Sequence, residues 1–124
     1  MLLCITLITV CCSKSNNQDV CNATTNAPIK SVLITANNTV NNPINIFIKY
    51  KLFSSCGAYN GIIKNVIADT TTLYVGAAYT GCTCTILDST ALTTYTFTPT
   101  KAGTYYYKFW QSDTLSLKDS IIVK

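Results

Sequence analysis

The chain has 124 residues, a formal net charge of +4 and an apolar share of 48%, enough for one domain with a buried core plus a short leader. It contains no His, no Glu and no Arg. That excludes Ser-His-Asp and Cys-His catalysis, imidazole metal ligation and bidentate guanidinium clamps on phosphate or carboxylate.

With Thr and Asn abundant and Glu and Arg missing, long surface helices are disfavoured. The lysines form no basic run. Lys49, Lys51, Lys64, Lys101, Lys108 and Lys118 fall mostly on polar positions of predicted strands. They read as solvated faces and charge-protected strand edges, so no nucleic-acid partner is expected. Seven cysteines in so short a chain point to an oxidising compartment.

Residues 1–12 form a leader. Met1 to Val10 is apolar apart from Thr6 and Thr9, far below the roughly 20 residues a membrane helix needs but suited to the hydrophobic core of an export signal. An apolar run that stops at Cys11 and Cys12 and continues as Ser13-Lys14-Ser15-Asn16 resembles the lipobox of bacterial lipoproteins. The resemblance implies lipid on Cys11 or Cys12, a membrane partner reached through that anchor, and a place in the bacterial cell envelope, on an outer membrane facing periplasm or cell surface. Residues 13–27, rich in Asn, Ser and Thr without periodicity, read as a flexible tether.

Pro28 opens the predicted domain, residues 28–124. The first strand is read over about 29–35, and the Asn pairs at 37–38 and 41–42 are turn signals. Over 44–53, Ile44, Ile46, Ile48, Tyr50 and Leu52 alternate with polar residues, the period of a half-buried strand. A loop holds Cys56, and a strand of ambiguous parity follows over about 59–67. Over 71–79, Leu73, Val75, Ala77 and Tyr79 share a face. A longer connection, 81–92, carries Cys82 and Cys84. Tyr95 and Phe97 alternate with threonines until Pro99 stops the run; after a turn, Tyr105, Tyr107 and Phe109 share one face with Tyr106, Lys108 and Trp110 on the other. The last strand ends at Val123, with Asp119 on the apolar parity of Leu117, Ile121 and Val123, so a bulge or a late strand start is expected there.

Seven short strands with regular turns predict an all-β, antiparallel β-sandwich. The stretch Phe97-Thr-Pro-Thr-Lys-Ala-Gly-Thr-Tyr105 resembles the corner between strands E and F of bacterial immunoglobulin-like domains, which implies that Tyr105 starts the next strand and that its hydroxyl finds a backbone partner. The two strands that carry the inter-sheet Cys pair in antibody domains have none here; Ile48 and Tyr107 stand at those inward positions. As a whole the chain resembles small Gram-negative envelope lipoproteins with one C-terminal immunoglobulin-like domain.

The remaining polar groups suggest little chemistry. Cys82-Thr83-Cys84 spacing is poor for zinc, so no metal or other cofactor is expected. Asp19, Asp69, Asp88, Asp113 and Asp119 are scattered, and at least Asp69 and Asp113 sit in turns. Alternation of strand direction brings Cys21, Cys56, Cys82 and Cys84 to one pole. Of the three connectivities, joining Cys82 to Cys84 would close a strained ring and leave Cys21 to Cys56; the other two pair Cys56 with Cys82 or with Cys84, and Cys21, if oxidised, with the other. Tyr106 and Trp110 point outward and are the candidate binding residues, with Tyr59 and Tyr79 near strand ends. Two functions fit: a non-catalytic envelope lipoprotein whose domain meets another envelope protein, or a surface module that stacks sugars on its exposed aromatics.

Overall fold

The structure, a computed structural model, describes residues 22–35 and 38–124. Eight strands follow one another: β1 (Ala23–Ala27), β2 (Ile29–Ile34), β3 (Ile44–Ser54), β4 (Gly57–Ile67), β5 (Thr70–Tyr79), β6 (Ile86–Phe97), β7 (Gly103–Trp110) and β8 (Ser116–Val123). One sheet runs β2-β3-β6; the other has five strands, in the order β1-β5-β7-β8 with β4 also on β5. The two sheets stack as an all-β sandwich.

The alternating pattern explains the core. From β3, Ile44, Ile46, Ile48 and Tyr50 are buried, and from β5 so are Leu73, Val75 and Ala77. Tyr107 and Phe109 of β7 and Ile121 and Val123 of β8 close the layer. Each of the Ile, Leu, Val and Phe side chains among them contributes about 1.5–3 kcal/mol by leaving water. At the corner between β6 and β7, Phe97 packs on Tyr105 and Tyr107 with ring centroids 5.7 Å and 5.4 Å away. The Tyr105 hydroxyl donates to the Lys101 carbonyl at 2.7 Å, tying the corner's backbone to the strand that leaves it.

β5 organises the larger sheet. β4 pairs along the whole of it, Ile67 opposite Thr70 and Gly57 opposite Tyr79. The opposite edge is shared: β1 takes the Val75–Tyr79 end, antiparallel, and β7 takes Thr70 to Leu73, parallel. Every other pairing is antiparallel. The parallel contact follows from the crossover. β6 leaves for the other sheet, so β5 and β7, which run the same way, become neighbours.

Four expectations change. The stretch 13–27 does not remain a tether to its end, because Ala23–Ala27 is strand β1 and Ala27 is fully buried. Composition hid it: five small or polar residues carry no apolar period, and the pairing comes from the open edge of β5. Pro28 then passes the chain to the other sheet, where its carbonyl accepts from the Lys51 N–H at 2.9 Å. Second, β6 begins at Ile86, inside the predicted 81–92 connection, and Ile86 pairs with Ser54. Third, β8 shows neither a bulge nor a late start: it begins at Ser116 and pairs with β7 in unbroken register, and Asp119 lies opposite Tyr107. β8 is an edge strand, so an inward-parity carboxylate there escapes sideways to solvent. Fourth, the ambiguous parity of β4 is a real register shift between Tyr59 and Ile62. Gly61 takes φ +85° there. A Cβ at Gly76 would lie 2.8 Å from the Asn60 carbonyl oxygen, so only glycine lets the two backbones approach this closely.

Candidate functional site

One end of the sandwich gathers the described cysteines. Cys56 and Cys84 form a disulfide with their Cα atoms 5.6 Å apart. Hydrogen bonds from Ser55 N–H to the Thr85 carbonyl and from Thr80 N–H to the Cys56 carbonyl hold the two loops together. Cys82 is disulfide-bonded as well. Gly81 N–H donates to Asn22 Oδ1 at 3.1 Å, so the chain enters the domain at this same pole. Cys21, and the lipidation candidates Cys11 and Cys12, lie outside the described residues. Among the described residues no three His, Cys, Asp or Glu side chains stand where they could share a metal ion.

The outer face of the five-stranded sheet carries the polar and aromatic candidates. Alternation along β7 turns Tyr105, Tyr107 and Phe109 inward, so Tyr106, Lys108 and Trp110 point out. Register then sets their neighbours. Tyr106 stands between Thr70 of β5 and Ser120 of β8, and Lys108 between Thr72 and Lys118. Trp110 pairs with Ser116 and packs its ring on Tyr74, centroids 6.3 Å apart. The two sequence candidates therefore share a face without forming one platform. They are four positions apart, about 13 Å along the strand. Trp110 is half-buried and its ring is engaged, whereas Tyr106 is 45% exposed.

Two adjoining hollows open at Tyr106. One, of about 220 Å³, is lined by Thr70, Tyr106, Tyr107, Lys108, Lys118 and Asp119. The other, of about 340 Å³, is lined by Tyr106, Lys118, Asp119 and Ser120. Asp119 Oδ1 accepts from the Ser120 N–H at 2.8 Å, which settles the carboxylate at the rim. Behind this surface, burial raises the Tyr107 phenol far above its ordinary pKa, with Tyr95 and Tyr105 adding to the shift.

The other two aromatic candidates, Tyr59 and Tyr79, each make a contact within the fold. Tyr79 Oη accepts from the Phe53 N–H at 3.0 Å, and Tyr59 packs on Tyr50 with centroids 6.2 Å apart. Burial, with Tyr59 second, raises the Tyr50 pKa. On the three-stranded sheet, Leu33, Phe47 and Leu92 form an exposed apolar patch with Lys49 beside them. Nearby Lys51 bridges Asp88 at 2.9 Å, and its hydrogen bond and charge lower the carboxyl pKa.

Compared with family models, with curated proteins and with solved structures, the chain matches none. What the site could do is therefore read from its own residues. Sequence reasoning found Tyr106 and left Lys108, Lys118, Asp119, Ser120 and Thr70 as scattered polar positions. Strand parity could place Lys108 beside Tyr106 on β7. Only the pairing of β8 with β7 puts Lys118 and Ser120 next to them.

Proposed function

We propose that the protein is a non-catalytic envelope lipoprotein, anchored through lipid on Cys11 or Cys12, whose sandwich is an immunoglobulin-like interaction module. The observation that carries this reading is where the chain enters the domain. Asn22 is bonded to Gly81 at the disulfide pole and β1 leads directly from it into the sheet. An anchor on the N-terminal side would hold the domain by one end and leave both outer faces open to a partner. The ten residue steps from Cys12 to Asn22 reach at most about 35 Å when extended, so the partner is another envelope component. The test is intact mass of protein extracted from membranes of an expressing bacterium. An acylated N-terminus on Cys11 or Cys12 is expected, abolished when both are serine. An unmodified, soluble species beginning near Ser13 would reject the reading.

A second reading, a surface carbohydrate-binding module, is favoured by one observation: Tyr106 presents an exposed ring over two hollows edged with hydroxyl, ammonium and carboxylate groups. Sugars are bound by such mixtures, with an apolar ring against the pyranose and fixed polar groups on its hydroxyls. Retention on a glycan array, lost in Tyr106→Ala and kept in Trp110→Ala, is the expected result. Equal loss in both variants would argue against the site at Tyr106.

A further inference from the structure

The pair Lys108 and Lys118 is the feature of this face that packing does not explain. They stand directly opposite each other on β7 and β8. Cross-strand neighbours on one face have Cβ atoms about 5 Å apart, and like charges there destabilise the pair. Among the described residues neither ammonium enters a salt bridge, while Lys51 on the other sheet has Asp88. Lys118 lines both hollows with Tyr106, and Lys108 lines one of them.

We propose that this face binds an acidic saccharide, a sugar ring carrying a carboxylate or phosphate, with the two lysines taking the anionic group. The inference rests on the carbohydrate reading and narrows it to a ligand class. The Tyr106 ring covers one face of the sugar. Lys108 and Lys118 donate to the acid group, which relieves their mutual repulsion. The Asp119 carboxylate, at the rim, accepts from sugar hydroxyls, and Thr70 and Ser120 lie within the same row to complete the hydroxyl contacts. Asp119 is what selects this ligand over other anions. A bare phosphate or a nucleic-acid backbone offers few hydroxyl donors and would meet its charge as repulsion, whereas a uronic acid or sugar phosphate supplies both acid and hydroxyls. A lone carboxylate among two ammonium groups and hydroxyl donors leaves the hollow cationic but still able to read hydroxyls.

The experiment is titration of the full chain, with Cys11 and Cys12 changed to serine, by galacturonate oligomers, by the neutral galactose oligomers of the same length, by galactose 6-phosphate and by inorganic phosphate, following backbone amide shifts of β7 and β8. Shifts at Tyr106 and Lys118 with the acidic sugars, at least tenfold weaker with neutral oligomers or phosphate alone, are expected. Lys108→Gln/Lys118→Gln should remove the preference for acid while leaving the fold's amide spectrum intact, and Asp119→Asn should weaken the sugars without improving neutral binding. Equal affinity for neutral and acidic oligomers, or acidic binding unchanged in the double variant, overturns this inference and leaves the carbohydrate reading standing. No binding of any oligomer overturns both. Inorganic phosphate binding as well as the acidic sugars means simple anion attraction and also overturns the inference.

Discussion

The disulfide between Cys56 and Cys84 should be the largest single contributor to stability that can be removed without touching the core. Its sequence separation is 28 residues, and by the loop-entropy relation a loop of that size constrains the unfolded chain by about 3.5 kcal/mol. The domain has on the order of 100 residues, whose unfolding entropy near the midpoint is roughly 0.2 kcal/mol per kelvin. Cys56→Ser/Cys84→Ser should therefore lower Tm by roughly 15 °C. Changing both residues is essential, since a single thiol left at this pole could attack the bond at Cys82. The assay is circular dichroism through a thermal ramp, oxidised wild type against the double variant, with non-reducing peptide mapping to show that Cys56 is joined to Cys84. A drop below about 5 °C would refute the entropic reasoning, because the unfolded chain would then hold little loop entropy for the bond to remove. Recovery of Cys56 as a free thiol would refute the pairing itself.

Four further outcomes are expected. Tyr105→Phe removes the hydroxyl bonded to the Lys101 carbonyl and should cost about 1 kcal/mol in urea unfolding; an unchanged midpoint would mean that water replaces the bond. Gly76→Ala puts a Cβ at 2.8 Å from the Asn60 carbonyl oxygen and should cost about 1–3 kcal/mol, measured the same way, with no change counting against the close approach. Starting the chain at Pro28 deletes β1 and uncovers the upper edge of β5; a Tm several degrees lower, with faster amide exchange at Ala77 and Tyr79, is expected, and exchange unchanged there would speak against the strand. The raised phenol of Tyr107 makes stability pH-dependent at the alkaline end. Its contribution is complete below about pH 10, the unfolded-state value, and is lost as pH rises above it by up to about 1.4 kcal/mol per pH unit. Tyr107→Phe should flatten that decline, and an identical slope in the variant would show that another group governs it.

Much of the sandwich was legible in the residues themselves. Ile44 to Tyr50 and Leu73 to Ala77 alternate so regularly that strand, parity and inward face follow from a period of two, because a strand's side chains have only two directions. The corner from Phe97 to Tyr105 announced its turn through Pro99 and Gly103 and its packing through the rings on either side. The cysteines could be brought to one pole by counting strand reversals, but not paired; choosing Cys84 over Cys82 depends on which side chain the loop turns towards Cys56. Strand β1 could not be read at all, since Ala23–Ala27 has no pattern of its own and becomes a strand by filling an edge that β7 leaves open on β5. The bulge at Asn60 and Gly61 likewise depends on Gly76 across the sheet. The candidate site divides the same way. Parity along β7 determined that Tyr106 and Lys108 face outward. Their meeting with Lys118, Ser120 and Thr70 was decided by register, which is a property of two strands at once and is written in neither.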